Sequence, residues 1–247
     1  LMEGISAEAA SMAGHFELGR LIYFYDDNDI SIDGSTDITF SEAVPARFDS
    51  VGWHTETVDG HDREAIAQAT EAALAVEDRP SLIVCRTHIA HGAPNAQDTA
   101  ASHGSPLGQE EIDATKERMG YPTEPRFHVD EQVYAFFDQA MDRGREAHKK
   151  WKERFANADS ESKAKLEALY QPKPVTLEGP GFEVGEVMAT RASSGKLFEE
   201  IAQKSPGFLG GAADLAGSTK TVIEKGRLFS GTDRTARDFA FGIREHA

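Results

Sequence analysis

Disulfide chemistry is excluded at the outset, because the 247 residues contain a single cysteine, Cys85. It lies in the apolar run Ser81–Arg86, where it reads as a small core residue rather than a catalytic thiol and fits a reducing, cytoplasmic setting. Long apolar runs are also lacking: none approaches the roughly 20 residues of a membrane-spanning helix. No secretory or transit pattern opens the chain. Positive charge is scarce, with 26 Lys and Arg against 42 Asp and Glu and a formal charge of −16. That balance argues against nucleic acid or an anionic membrane as the main partner. An anionic small substrate stays open, because a bound metal ion and a few placed cations reverse the potential locally. The chain begins at Leu1 without methionine and stops at Ala247, directly after the turn Gly242-Ile243-Arg244-Glu245. With no boundary pattern at either end, it is expected to be an internal piece of a longer protein.

What is present reads as α/β. Ser6–His15 is rich in alanine, a helix suited to close packing. Leu21–Tyr25 is a continuous apolar strand, expected to be buried on both faces, that runs into the polar turn Asp26-Asp27-Asn28-Asp29. Trp53–Val58 alternates as a strand, and Asp62 is placed to cap a helix over Arg63–Val76 with Ile66, Ala69, Ala73 and Val76 on one face. Pro80 then precedes the strand Ser81–Arg86. Strand, helix and strand at this spacing form a βαβ unit and imply a parallel, doubly wound sheet.

After Thr87 the periodicity dissolves for about twenty residues, a loop length that is usually functional. A short helix follows over Glu110–Arg118, ending at Gly120. An amphipathic helix over about Asp130–Ala156 should turn Val133, Phe136, Phe137, Ala140, Ala147 and Trp151 toward a core. Gln171–Gly185 holds three prolines and three glycines and reads as a linker. Ser193 and Ser194 are expected to cap a helix through Gln203. The expected organisation is a first domain over 1–170, a linker over 171–186, and the start of a second α/β domain over 187–247.

Four clusters carry chemistry. The turn at Asn28 lies at the carboxyl end of a strand, where open α/β sheets bind ligands. An Asn side-chain oxygen with a carbonyl two residues later suits the hard, octahedral preference of Mg²⁺. The same turn also reads as an acid-rich bend that satisfies its own backbone. His103 lies in the long loop within Ser102-His103-Gly104-Ser105-Pro106-Leu107-Gly108; it is either an exposed residue or a donor to a phosphate or hydroxyl. Arg191 and Ser218 suit a phosphate by charge and hydroxyl donation, and equally suit a surface and a turn. Glu245 follows Arg244, either as a helix-start ion pair or as a placed acid.

Taken together these segments resemble the transketolases, thiamine diphosphate-dependent enzymes. The resemblance rests on Leu1–Ala10 followed by Asp26-Asp27-Asn28, on Gly92–Asn95 with Ser102–Gly108, on Ala189–Ser194 with Gly210–Ser218, and on Phe241–Ala247. It spans nearly the whole chain in the family's order. It implies the thiamine diphosphate-binding fold and reversible transfer of a two-carbon ketol unit from a ketose phosphate to an aldose phosphate, through the thiamine diphosphate ylid. It also implies a Mg²⁺ cofactor, with Ca²⁺ or Mn²⁺ as substitutes, held by the Asn28 side chain, the Ile30 carbonyl and an acidic residue upstream of Leu1. His103 would contact the diphosphate and the substrate, and Arg191 and Ser218 the sugar phosphate. Glu245 would bond the pyrimidine ring of a cofactor held mainly by the other subunit of a homodimer, with Glu3 and Glu8 linking the two sites. The diphosphate-binding part would be 1–170 and the pyrimidine-binding part 187–247, the isolated chain being inactive. The chain departs from the family at Ala90, usually Gly, and at His91, often aromatic. A dihydroxyacetone synthase-like ketol transferase and a non-catalytic binding homologue are the alternatives.

Overall fold

The computed structural model describes residues 3–171, 174–179 and 181–246. Leu1 and Met2 of the first motif, Ala247 of the last, and Pro172, Lys173 and Pro180 of the expected linker lie outside the described residues. The chain divides into two compact units, one of residues 1–128 with 246–247 and the other of 129–245.

The first unit opens with α1 (Gly4–His15), whose Ala10 and Ala13 are buried. Strand β1 (Ile22–Asp27) leads to a two-residue hairpin, β2 (Ile30–Ser31) with β3 (Gly34–Ser35). Helix α2 (Val44–Ser50) carries Pro45 in its first turn, where a missing N–H costs nothing. Then come β4 (His54–Asp59), α3 (Arg63–Ala75) and β5 (Ser81–Arg86). Asp62 caps α3 as its position predicts, accepting from the Glu64 and Ala65 N–H groups at 2.9 and 3.1 Å.

The three strands form a parallel sheet in the order β1-β5-β4. The central strand shows why both faces need helices. Its alternate residues Leu82 and Val84 join Ala10, Ala13, Val44, Phe48 and Trp53 in one core, while Ile83 and Cys85 join Ala69 and Ala73 in a second. So α1 and α2 cover one face and α3 the other, which is the doubly wound arrangement. Trp53 is 1% exposed and donates its indole N–H to the Ala10 carbonyl at 2.8 Å, leaving no buried donor unpaired. Strand β1 differs from expectation. It lies at the edge of the sheet rather than between neighbours, so Tyr23 and Phe24 stay 47% and 52% exposed.

The loop after β5 contains one 3₁₀ turn, Ala100–His103, and ends at α4 (Gln109–Arg118).

The second unit begins with α5 (Glu131–Asn157), capped by Asp130, and α6 (Ser160–Tyr170), capped by Asp159. No residue of α5 is buried: Phe136 and Phe137 are 65% and 61% exposed, and Val133 and Trp151 are exposed as well. The amphipathic pattern correctly predicts the helix, but among the described residues of the second unit no element buries its apolar stripe. Helix α7 (Thr190–Lys204) starts after Ala189, with no side-chain cap. Ser193 is not a cap: it lies inside the first turn and donates its hydroxyl to the Thr190 carbonyl at 2.9 Å. Strand β6 (Gly210–Ala212), the short α8 (Ala216–Thr219) and β7 (Asp238–Ala240) complete the unit, with β6 and β7 parallel. Its buried residues include Ala202, Ala236 and Asp238.

Candidate cofactor and substrate site

At the carboxyl edge of the first sheet, β1, β4 and β5 end in register: Asp27 and Asp59 both lie opposite Arg86. Arg86 pairs with Asp27 at 2.9 Å and approaches Asp29 at 3.8 Å. Burial raises the Asp27 carboxyl above its ordinary value, and the Arg86 guanidinium opposes that shift. The neighbouring Tyr25 phenol is pushed up to about 12, first by burial and then by the Asp27 charge. Thr87 ties β5 to β1 by donating its hydroxyl to Asp26 and its N–H to the Asp27 carbonyl. Gly60 closes the other side. A Cβ there would sit 2.9 Å from the Arg86 carbonyl oxygen and 2.4 Å from the Thr87 methyl, so only glycine lets β4 end this close to β5.

Asn28, half-buried, accepts the Ile30 N–H on its Oδ1 at 3.1 Å. This is the local turn that the bland reading foresaw, and it also fixes the amide with a second oxygen lone pair to spare. Ile30 begins β2, and the His103 turn packs against β2. The structure therefore brings the first two clusters together, although they lie some seventy residues apart in sequence. His103 itself is exposed at the end of its turn. Glu3 precedes α1 and is exposed, while Glu8 is half-buried one turn further on.

The residues present fit a hard cation and a diphosphate. The donors are an amide oxygen and a main-chain carbonyl, which suit Mg²⁺ when phosphate and water complete the shell. Among the described residues no group of three or more His, Cys, Asp or Glu side chains is placed to hold a metal ion.

The sequence reading missed two features. His61, His88 and His91 form a stack, with His61 and His91 centroids 3.9 Å apart. His61 Nε2 accepts the His88 N–H at 3.0 Å, and Asp98 holds His88 Nδ1 at 3.0 Å. His91 supplies the flat face on which His61 stacks. Ala90 has φ +51°, the left-handed region that glycine enters freely. The second omission is Glu111, an acid in the first turn of α4 that reaches back into the long loop.

In the second unit the carboxyl ends of β6 and β7 border a cavity of about 500 Å³, lined in part by Asp214, Gly217, Asp238 and Gly242. Ser218 lies one residue past Gly217 on α8, and Arg191 in the first turn of α7; both are exposed. Helices α7 and α8 pack together, so closely that a Cβ on Gly195 would sit 2.5 Å from the Lys220 Cβ. Glu245 is exposed, three residues past Gly242, whose φ of +63° turns the chain after β7. Asp238 is buried and accepts the Ile223 and Glu224 N–H groups, which fixes the floor of the cavity.

A parallel sheet covered on both faces, with oxygen donors and a histidine turn gathered at its carboxyl edge, places the first unit among the α/β proteins that bind a ligand at the strand ends. Residues 1–173 match the family model described as transketolase, thiamine diphosphate binding domain. The chain belongs to the transketolase family. It is 44% identical over 254 residues to a transketolase of Halalkalibacterium halodurans, covering all of this chain and 38% of the relative. It is 41% identical to a chloroplastic transketolase of Solanum tuberosum, covering 99% of this chain and 34% of the relative. The chain thus spans between a third and two-fifths of the length of these curated relatives. Among solved structures, a Campylobacter jejuni transketolase superposes with a TM-score of 0.86 at 35% identity, over 99% of this chain and 37% of that one. A Pichia stipitis transketolase in complex with sedoheptulose-7-phosphate gives 0.88 at 34% identity, over 99% and 38%. Among the described residues no helix is long and apolar enough to cross a membrane.

Proposed function

We propose that this chain is the central part of a transketolase, which moves a two-carbon ketol unit reversibly from a ketose phosphate to an aldose phosphate. The observation that carries the reading is the meeting of Asn28, Ile30 and the His103 turn at one sheet edge. Thiamine diphosphate, when bound, supplies the carbanion and the electron sink that the reaction needs. The Asn28 oxygen and the Ile30 carbonyl would hold Mg²⁺, together with an acid upstream of Leu1, and the ion would neutralise diphosphate charge. His103 donates to the diphosphate and to a substrate hydroxyl. Glu245 hydrogen-bonds the pyrimidine ring and holds a proton at the ring nitrogen. Arg191 and Ser218 bind the sugar phosphate from adjoining helices. Glu3 and Glu8 link the paired sites of a homodimer, in which Glu245 serves a cofactor held mainly by the other subunit. The diphosphate-binding part covers 1–170 and the pyrimidine-binding part begins at 187. A cytoplasmic location agrees with the single, buried Cys85.

The test uses the full-length protein with fructose-6-phosphate or sedoheptulose-7-phosphate as donor and a ribose phosphate as acceptor. Asn28→Ala should lower turnover at least about 100-fold and raise the Mg²⁺ requirement, in line with the loss of a metal-bound charge clamp. Unchanged turnover and metal dependence would refute the metal assignment. Formaldehyde outpacing ribose phosphate as acceptor would shift the activity to dihydroxyacetone synthesis. The isolated 247 residues should show no ketol transfer.

A further inference from the structure

We propose that Glu111 is a positioning residue for His103, holding the histidine turn through Ala96. The inference rests on the reading of His103 given above and adds a residue to it. A four-residue 3₁₀ turn is weakly held by its own backbone, so its placement depends on outside bonds. Beside its packing against β2, the side-chain hydrogen bonds of the turn converge on one residue. The Ser102 hydroxyl donates to the Ala96 carbonyl at 2.6 Å, and the Thr99 hydroxyl donates to the same carbonyl at 2.8 Å. The two hydroxyls lie 3.1 Å apart, and the Ser102 N–H returns to the Thr99 carbonyl at 3.1 Å. Ala96 is therefore the anchor of the turn.

Ala96 is fixed in its turn by α4. Its N–H donates to Glu111 Oε1 at 2.9 Å, and the Asn95 N–H donates to the same oxygen at 2.7 Å. The Asn95 side-chain amide donates to Oε2 at 2.9 Å. One carboxylate thus takes three N–H groups from two consecutive loop residues, and bonds to an ionised acceptor are about twice as strong as neutral ones. These bonds, the Asn95 side chain foremost, hold the Glu111 carboxyl below its ordinary value. Other bonds anchor the loop on either side: downstream, Asp98 donates its N–H to the Ile89 carbonyl at 3.1 Å and its carboxylate meets His88 Nδ1 at 3.0 Å. Gln97 accepts the Gly92 N–H, and Gly92 packs on Met119, where a Cβ would lie 2.9 Å from the sulfur. None of these holds the Asn95 or Ala96 amides.

Side-chain chemistry then separates two variants. Glutamine keeps one oxygen for both main-chain N–H groups, and a flip of the Asn95 amide restores the third bond. Alanine removes all three. In the full-length enzyme, Glu111→Ala should lower kcat/KM for ketol transfer about 10- to 100-fold, the scale of a displaced catalytic group, and Glu111→Gln should stay within about threefold. Because Glu111 acts through His103, Glu111→Ala placed on His103→Ala should cost less than about twofold more. A purely structural role would instead give the same loss in both backgrounds, and that additive result overturns the proposal, as does a fully active Glu111→Ala. A fully active His103→Ala is a separate outcome: it overturns the role of His103 and the inference with it. If Glu111→Ala does not fold by circular dichroism, Glu111→Asp, which withdraws the carboxylate by one methylene, takes its place in the same cycle.

Discussion

The two units each hold a short parallel sheet together, and by different means. In the first, apolar side chains close both faces of the sheet around Leu82, Ile83, Val84 and Trp53. In the second, a buried carboxylate ties β7 to the loop that precedes it. Asp238 takes the Ile223 and Glu224 N–H groups at 2.6–2.9 Å, while Arg237 bonds Glu224 and the carbonyls of Ala202 and Ser205. The difference teaches where each unit is fragile. A dry core fails when volume is removed, and a polar one fails when a single acceptor is removed.

The largest expected effect tests the first half of that contrast. Trp53→Ala should cost about 3–5 kcal/mol in urea unfolding, whereas Phe136→Ala on the uncovered face of α5 should change stability by less than about 0.5 kcal/mol. Equal losses would mean that α5 is covered in solution. Next comes Asp238→Ala, expected to destabilise the second unit by about 2–3 kcal/mol by leaving buried N–H groups without an acceptor. Limited proteolysis should then cut the second unit first, and cuts confined to residues 3–128 would break the comparison. A smaller effect is expected at Ala90, where replacement by Gly should add about 1 kcal/mol of stability to the first unit by relieving left-handed backbone. No rise in its melting temperature would refute the strain.

The smallest effect concerns pH. The folded Glu111 carboxyl is depressed, so its contribution is fully present above the ordinary 4.5 and is lost as pH falls through the lowered value. The Asn95 side-chain amide, followed by NMR, should therefore titrate with a midpoint below 4.5. A midpoint at or above 4.5 would show that the carboxylate is not held by the loop.

Much of the first unit was legible in the sequence, because its chemistry is local. Asp62 as a cap, the apolar strand Ser81–Arg86 and the turn at Asn28 each depend on residues a few positions apart. The elements misread there and in the second unit were those whose environment comes from elsewhere. Leu21–Tyr25 has the composition of a buried strand, but strand order puts β1 at an edge. Ser193 and Ser194 have the chemistry of caps, yet α7 starts earlier, at Thr190. The helix over Ser160–Tyr170 was not foreseen, although Asp159 supplies its capping signal.

For the site, the resemblance to the transketolases named Asn28, Ile30, His103, Arg191, Ser218 and Glu245, because the motifs that carry it are written in order along the chain. Only the tertiary structure decided that β2 and the His103 turn meet, that α7, which carries Arg191, packs on α8, which carries Ser218, and that Glu111 reaches Asn95 and Ala96. Those pairings depend on which strands lie side by side and how a twenty-residue loop folds back, and no local pattern encodes a distance between segments far apart in the chain.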